Sequence, residues 1–253
     1  MNLPHRFAVA IAQTIIILAP SQFAIGQPPQ QVAAIAKEIN LGLEFGDKQR
    51  EILSLNEAIS FDPNNANDYL ARGFDRYKQG DLQGAIADFN EAIRLNPNFK
   101  EAYGNRGNAR AALGDKQGAI GDYDRVISLD PNDALAYYNR GIVRYDMGDF
   151  QSAIADSNEA IRLNPNYAEA YGNRGNARLA LGDKQGAIAD YDRVISLDPN
   201  DGIAYYNRAS VRNELGDKKS AIEDLQKAAS LFQQQGNSDR YKEAQDGIRQ
   251  LQQ

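Results

Sequence analysis

Residues 168–201 read AEAYGNRGNARLALGDKQGAIADYDRVISLDPND. Residues 100–133 repeat them with three changes: Lys100 for Ala168, Ala111 for Leu179 and Gly121 for Ala189. Looser copies fill the sequence before, between and after, and five prolines (Pro63, Pro97, Pro131, Pro165, Pro199) stand 34 residues apart without a slip. A fixed period of this length is one supersecondary unit stacked into a solenoid. Each unit of a solenoid touches only its neighbours, and function resides in the extended surface the stack exposes.

Within each period two helical patterns of about 14 residues are divided by Gly-Asp, at Gly80-Asp81, Gly114-Asp115, Gly148-Asp149, Gly182-Asp183 and Gly216-Asp217. The glycine predicts a left-handed C-cap. The aspartate predicts an N-cap that accepts from the free N–H groups of the next helix. The second helix must stop before Asn-Pro or Asp-Pro, because the residue ahead of a proline avoids the helical region.

Composition narrows the function classes. The net charge is −6, and no basic footprint for nucleic acid is visible. There is no cysteine, which excludes a disulfide framework, a thiolate metal site and a cysteine nucleophile. The single histidine is His5. No glycine-rich phosphate loop or Ser/His/Asp set is found, and the many carboxylates recur with the repeat as caps and brackets. The expectation is a protein without enzymatic activity, cofactor or metal.

The ends differ from the middle. Arg6, the apolar run at 8–19 (AVAIAQTIIILA), Pro20 and the small residues Ala24 and Gly26 compose a secretory signal peptide over residues 1–26, cut before Gln27. The run is too short for a bilayer, which needs about 20 apolar residues. The expectation is export to a periplasm, a lumen or the cell exterior, with no integral membrane domain after cleavage. Residues 27–31 read as a linker. Unit 32–65 keeps Gly46-Asp47, Ala58 and Asp62-Pro63, and reads as a degenerate N-terminal repeat. Residues 236–253 carry Tyr241, Ala244, Ile248 and Leu251 at helical spacing and read as a C-terminal capping helix.

The pattern resembles the tetratricopeptide repeat (TPR), in a secreted bacterial, cyanobacterial-like form. With proline as position 32, the full units are 66–99, 100–133, 134–167, 168–201 and 202–235. Position 4 is Tyr69, Tyr103, Tyr137, Tyr171 and Tyr205; position 8 is Gly73, Gly107, Gly141, Gly175 and Ala209. Position 20 is Ala85, Ala119, Ala153, Ala187 and Ala221; position 24 is Phe89, Tyr123, Ser157, Tyr191 and Leu225. The resemblance implies an all-α, right-handed superhelical solenoid of helix-turn-helix repeats.

Two positions depart from the family. Arginine stands at position 7 (Arg72, Arg106, Arg140, Arg174, Arg208) and at position 11 (Arg76, Arg110, Arg144, Arg178, Arg212), one helical turn apart. Every unit with that pair also has aspartate at position 23: Asp88, Asp122, Asp156, Asp190, Asp224. The degenerate unit lacks all three, with Glu38, Gly42 and Ser54. The co-occurrence points to an arginine–aspartate bracket between the two helices, an anion-binding arginine ladder being the alternative.

In the resembling family, positions 2, 5, 9, 12 and 13 of the first helix line the concave groove. Here Gly104, Asn108, Ala111 and Ala112, and Gly172, Asn176, Leu179 and Ala180, alternate with Tyr138, Ile142 and Tyr145, and Tyr206, Ser210 and Asn213. This reads as sockets between tyrosine ridges. Asparagine recurs at position 6, as Asn105, Asn139, Asn173 and Asn207. A row of amides can donate to and accept from the backbone of an extended peptide. The row resembles the asparagine ladder of O-linked N-acetylglucosamine transferases. It also partly resembles a co-chaperone carboxylate clamp through Asn108/Asn139 and Asn176/Asn207, although Gly104 and Gly172 stand where the clamp has lysine. The expected peptide site is therefore Asn105, Asn108, Asn139, Asn173, Asn176, Asn207, Tyr138, Tyr145 and Tyr206. The expected partner is a protein or peptide bound by a monomeric, non-catalytic scaffold, a self-assembling or membrane-tethered solenoid being the alternative.

Overall fold

Gly80, Gly114, Gly148, Gly182 and Gly216 all take φ of +80° to +86°, the left-handed turn expected between the paired helices. The structure is a computed structural model that describes residues 61–253. The signal peptide, the linker and most of the degenerate repeat lie outside the described residues. The chain divides into two compact units, one ending at Leu113 and the other taking up at Gly114. The described residues are helical, with no strand among them.

The first unit holds α1 (Ala66–Lys78), α2 (Leu82–Leu95) and α3 (Lys100–Ala112). Helix α2 starts on Asp81, which accepts from the Gly84 N–H, and ends at Leu95, immediately before Asn96-Pro97. Its core joins Leu70, Ala85, Phe89, Ala92, Phe99, Ala102 and Ala109. A Cβ added at Gly73 would lie 2.7 Å from Phe89 Cε1, which is why position 8 is glycine opposite that ring.

The second unit holds α4 (Lys116–Leu129), α5 (Ala134–Asp146), α6 (Phe150–Leu163), α7 (Ala168–Ala180), α8 (Lys184–Leu197), α9 (Gly202–Glu214), α10 (Lys218–Gln234) and α11 (Ser238–Leu251). Asp115, Asp149, Asp183 and Asp217 cap the second helices as expected, each accepting from the N–H three residues on. First and second helices run 13 and 14 residues until the last pair, where α10 runs 17. The reason is local: Gln233 stands where the other repeats have proline, so nothing stops the helix. The added turn buries Phe232 against α9, where a Cβ on Gly202 would lie 2.8 Å from the ring.

Helix α11 packs Ala244 and Ile248, with Tyr241 and Leu251 beside them, onto the cluster that contains Leu225 and Phe232. Lys242, Glu243, Arg249 and Gln250 remain exposed on its outer side, so the terminal face is polar.

Ala119 and Ala187 have no exposed surface, as close helix approach at position 20 requires. Ala187→Leu is expected to overpack the joint against Tyr191 and to lower stability by about 1–3 kcal/mol. Urea unfolding of the two proteins checks this, and an unchanged midpoint would refute the packing.

Candidate functional site

Each arginine of the first helices is committed before any ligand arrives. In the first unit Arg72 grips Asp88 with Nε and Nη2 at 3.0 and 2.6 Å, and Arg76 Nη1 donates to the same carboxylate at 2.9 Å. The second unit repeats the bracket at Asp156, where Arg140 donates at 3.0 and 2.6 Å and Arg144 at 2.8 Å. Asp190 and Asp224 are held the same way by Arg174 with Arg178 and by Arg208 with Arg212. The four aspartates are buried and their arginines half-buried. The bracket therefore explains the arginines better than a ladder for external anions does.

A further partner escaped the sequence reading. The arginine at position 7 also reaches back to position 25 of the preceding repeat: Arg106 to Asn90 (2.6 Å) in the first unit, and Arg140 to Asp124 (2.5 Å), Arg174 to Asn158 (2.7 Å) and Arg208 to Asp192 (2.5 Å) in the second. Burial alone would lower the Arg140 and Arg208 guanidiniums, but their paired carboxylates outweigh it and hold both above the ordinary value. One guanidinium thus joins two helices of its own repeat and the repeat before it. The same groups lie over tyrosine rings at position 4, for example Arg174 over Tyr171 at 5.3 Å.

The amides lie deeper than a solvent-facing row would. Asn105, Asn108, Asn139 and Asn173 are 2–4% exposed, and Asn176 and Asn207 are half-buried. Position 6 abuts the second helix of the preceding repeat. Asn173 shows this, with Nδ2 donating to the Ser157 hydroxyl on α6 at 3.2 Å, while that hydroxyl donates to the Ala153 carbonyl. Asn176 Oδ1 accepts from the Tyr191 phenol at 2.7 Å.

The tyrosine ridges are corrected as well. Tyr138 and Tyr206 are buried, and Tyr145 is half-buried, edge-on to Phe150 at 5.3 Å between ring centroids. Tyr138 packs instead on Tyr167, whose centroid is 4.9 Å away. Burial raises the phenols of Tyr138, Tyr145, Tyr167 and Tyr206, so they remain neutral hydrogen-bonding groups. Between the Tyr138 and Tyr206 repeats lies Gly172. A Cβ there would meet only Val194, at 3.9 Å, so the middle repeat has open space on the face where its neighbours carry rings.

Two family models of tetratricopeptide repeats match the chain, one at residues 75–114 and 107–148, the other at 138–202 and 173–238. The chain belongs to the tetratricopeptide-repeat family. A comparison with curated proteins gives no match. Among solved structures, the TPR chain is similar to MamA residues 41 to the end from Desulfovibrio magneticus RS-1, with 25% identity and a TM-score of 0.64 over 70% of this chain and 99% of that one. Another MamA crystal structure gives 27% identity and a TM-score of 0.62, covering 65% and 96%. YrrB, described as a TPR protein with an unusual peptide-binding site, gives 20% identity and a TM-score of 0.59 over 79% and 98%, a likeness of fold.

Membership of the TPR family makes the chain a protein–protein interaction scaffold. Among the described residues, no helix is long and apolar enough to cross a membrane.

Proposed function

We propose that this TPR protein holds an extended peptide or protein segment on the first-helix face of α5, α7 and α9, and performs no chemistry on it. The observation that carries this reading is the open position at Gly172, set between repeats that fill the equivalent position with Tyr138 and Tyr206. Asn176 on α7 and Asn207, Ser210 and Asn213 on α9 are only partly buried and can donate to and accept from a backbone. The protein acts as a monomer after export, with residues 1–26 removed.

Gly172→Gln separates fold from function. The space beyond Gly172 accepts a side chain, and a helix interior favours glutamine over glycine. Stability is expected to hold or rise while partner recovery from the native host falls at least tenfold. Mass spectrometry of the same preparation reads both the co-eluting proteins and the N-terminus. Undiminished recovery would put the binding surface elsewhere, and an intact Met1 would overturn export.

Self-association is the second reading. Met147, Leu181 and Leu215 are 42–44% exposed, one per repeat at the turn between paired helices. Sedimentation of the preparation as a single monomeric species would exclude it.

A further inference from the structure

Tyr191 on α8 is 1% exposed, and a buried phenol needs a partner for its O–H. Burial raises this phenol, so it keeps its proton and acts as a donor. Asn176 Oδ1 on α7 accepts that proton at 2.7 Å. A carboxamide has one acceptor end and one donor end. With Oδ1 held by the phenol, the donor end of Asn176 is the end left over. Its Nδ2 forms no hydrogen bond among the described residues, and it remains open to solvent because Asn176 is only partly buried.

Each other donor-bearing side chain of α7 is already engaged. Tyr171 donates to the Pro165 carbonyl, Asn173 to Ser157, and Arg174 and Arg178 to Asp190. Among the five full repeats, asparagine stands at position 9 only where tyrosine stands at position 24, as Asn108 with Tyr123 and Asn176 with Tyr191. The other three carry Phe74 with Phe89, Ile142 with Ser157, and Ser210 with Leu225. Gly172 precedes Asn176 by four residues, so the open position and the amide share one stripe of α7. A main chain can come closest to a helix where no side chain stands in the way.

We propose that Tyr191 is a positioning residue: it locks Asn176 so that only the amide N–H groups face the bound segment, where they anchor a main-chain carbonyl passing over Gly172. This rests on the peptide-binding reading above. A free amide could turn over and meet either a carbonyl or an N–H. A locked one accepts nothing, and so fixes which edge of an extended segment faces α7. Pre-setting the amide also spares the segment the entropy of ordering that side chain on binding.

The test uses the full chain and peptides selected against it from a display library of random segments about 12 residues long, roughly 40 Å when extended. Each is made with fluorescein, in C-terminally amidated and free-acid forms, and anisotropy reads its affinity. Gly172→Gln weakens those that lie over α7. For such a peptide Asn176→Asp keeps an acceptor for Tyr191 and removes the amide donor. It should weaken both forms about tenfold, one hydrogen bond's worth, with the unfolding midpoint unchanged. Tyr191→Phe should weaken the peptide about threefold by freeing the amide, and should weaken it no further once Asn176→Asp is present. Full affinity in Asn176→Asp would overturn the anchor and leave the peptide reading standing. An equal Tyr191→Phe loss with and without Asn176→Asp would overturn the positioning role, since Tyr191 would then act through the fold alone. A loss confined to the free acid would overturn the main-chain carbonyl in favour of a terminal carboxylate. No selected peptide, or none that Gly172→Gln weakens, would overturn both readings.

Discussion

Replacing Asp156 with alanine is expected to destabilise the protein by about 3–5 kcal/mol, the usual cost of breaking a buried ion pair from one side. Asp156 is 2% exposed and takes three N–H donors from Arg140 and Arg144. Its loss would leave two guanidiniums side by side in a half-buried gap, with only Asp124 to balance Arg140. Asp156→Asn keeps the shape and an acceptor, and should cost less. A double-mutant cycle of Asp156→Ala with Arg144→Ala isolates the pair, and denaturant unfolding reads it. A loss below about 1 kcal/mol, the range of exposed pairs, would refute a structural bracket.

The second large effect is expected at the other end. Phe232→Ala removes a ring that is 1% exposed and seated over Gly202, in the cluster that joins α10 to α11. Deleting a buried phenylalanine costs about 3–5 kcal/mol, because neighbouring side chains fill the cavity only in part. The loss should remain local, since each repeat is coupled to its neighbours. Hydrogen exchange should quicken through α9, α10 and α11 and stay unchanged in α5. Protection lost evenly across the second unit would show that it unfolds as one block.

The helices were legible in the sequence because each boundary has its own residue: glycine at positive φ, aspartate on the N–H groups, and proline where the second helix must stop. The bracket was legible because the two arginines and the aspartate are present or absent together. Position 25 was passed over because its partner belongs to the next repeat, so a comparison confined to one repeat cannot pair them. The lengthened α10 follows from a missing proline, Gln233, which a reading built on the prolines present did not weigh.

The binding face was the least legible part. Asn139 and Asn173 look like solvent-facing amides by residue type, and helical spacing does not reveal that the preceding repeat's second helix covers position 6. Tyr138 looked like a ridge because Tyr167, the ring that covers it, lies 29 residues along the chain and just outside a helix.

The fit between Tyr138 and Tyr167 also bears on how such a chain can change length. Position 5 alternates between glycine and tyrosine from Gly104 to Tyr206, position 34 between aromatic and aspartate from Phe99 to Asp201, and position 25 between asparagine and aspartate from Asn90 to Asp192, all with a period of two repeats. Excising residues 134–167 alone would set the repeat carrying Gly104 directly before the one carrying Gly172 in the sequence, and would delete both Tyr138 and Tyr167. Excising 134–201 would return the sequence to the same phase and leave every remaining side chain its usual kind of neighbour. Adding or removing a couplet preserves this alternation, whereas adding or removing a single repeat breaks it.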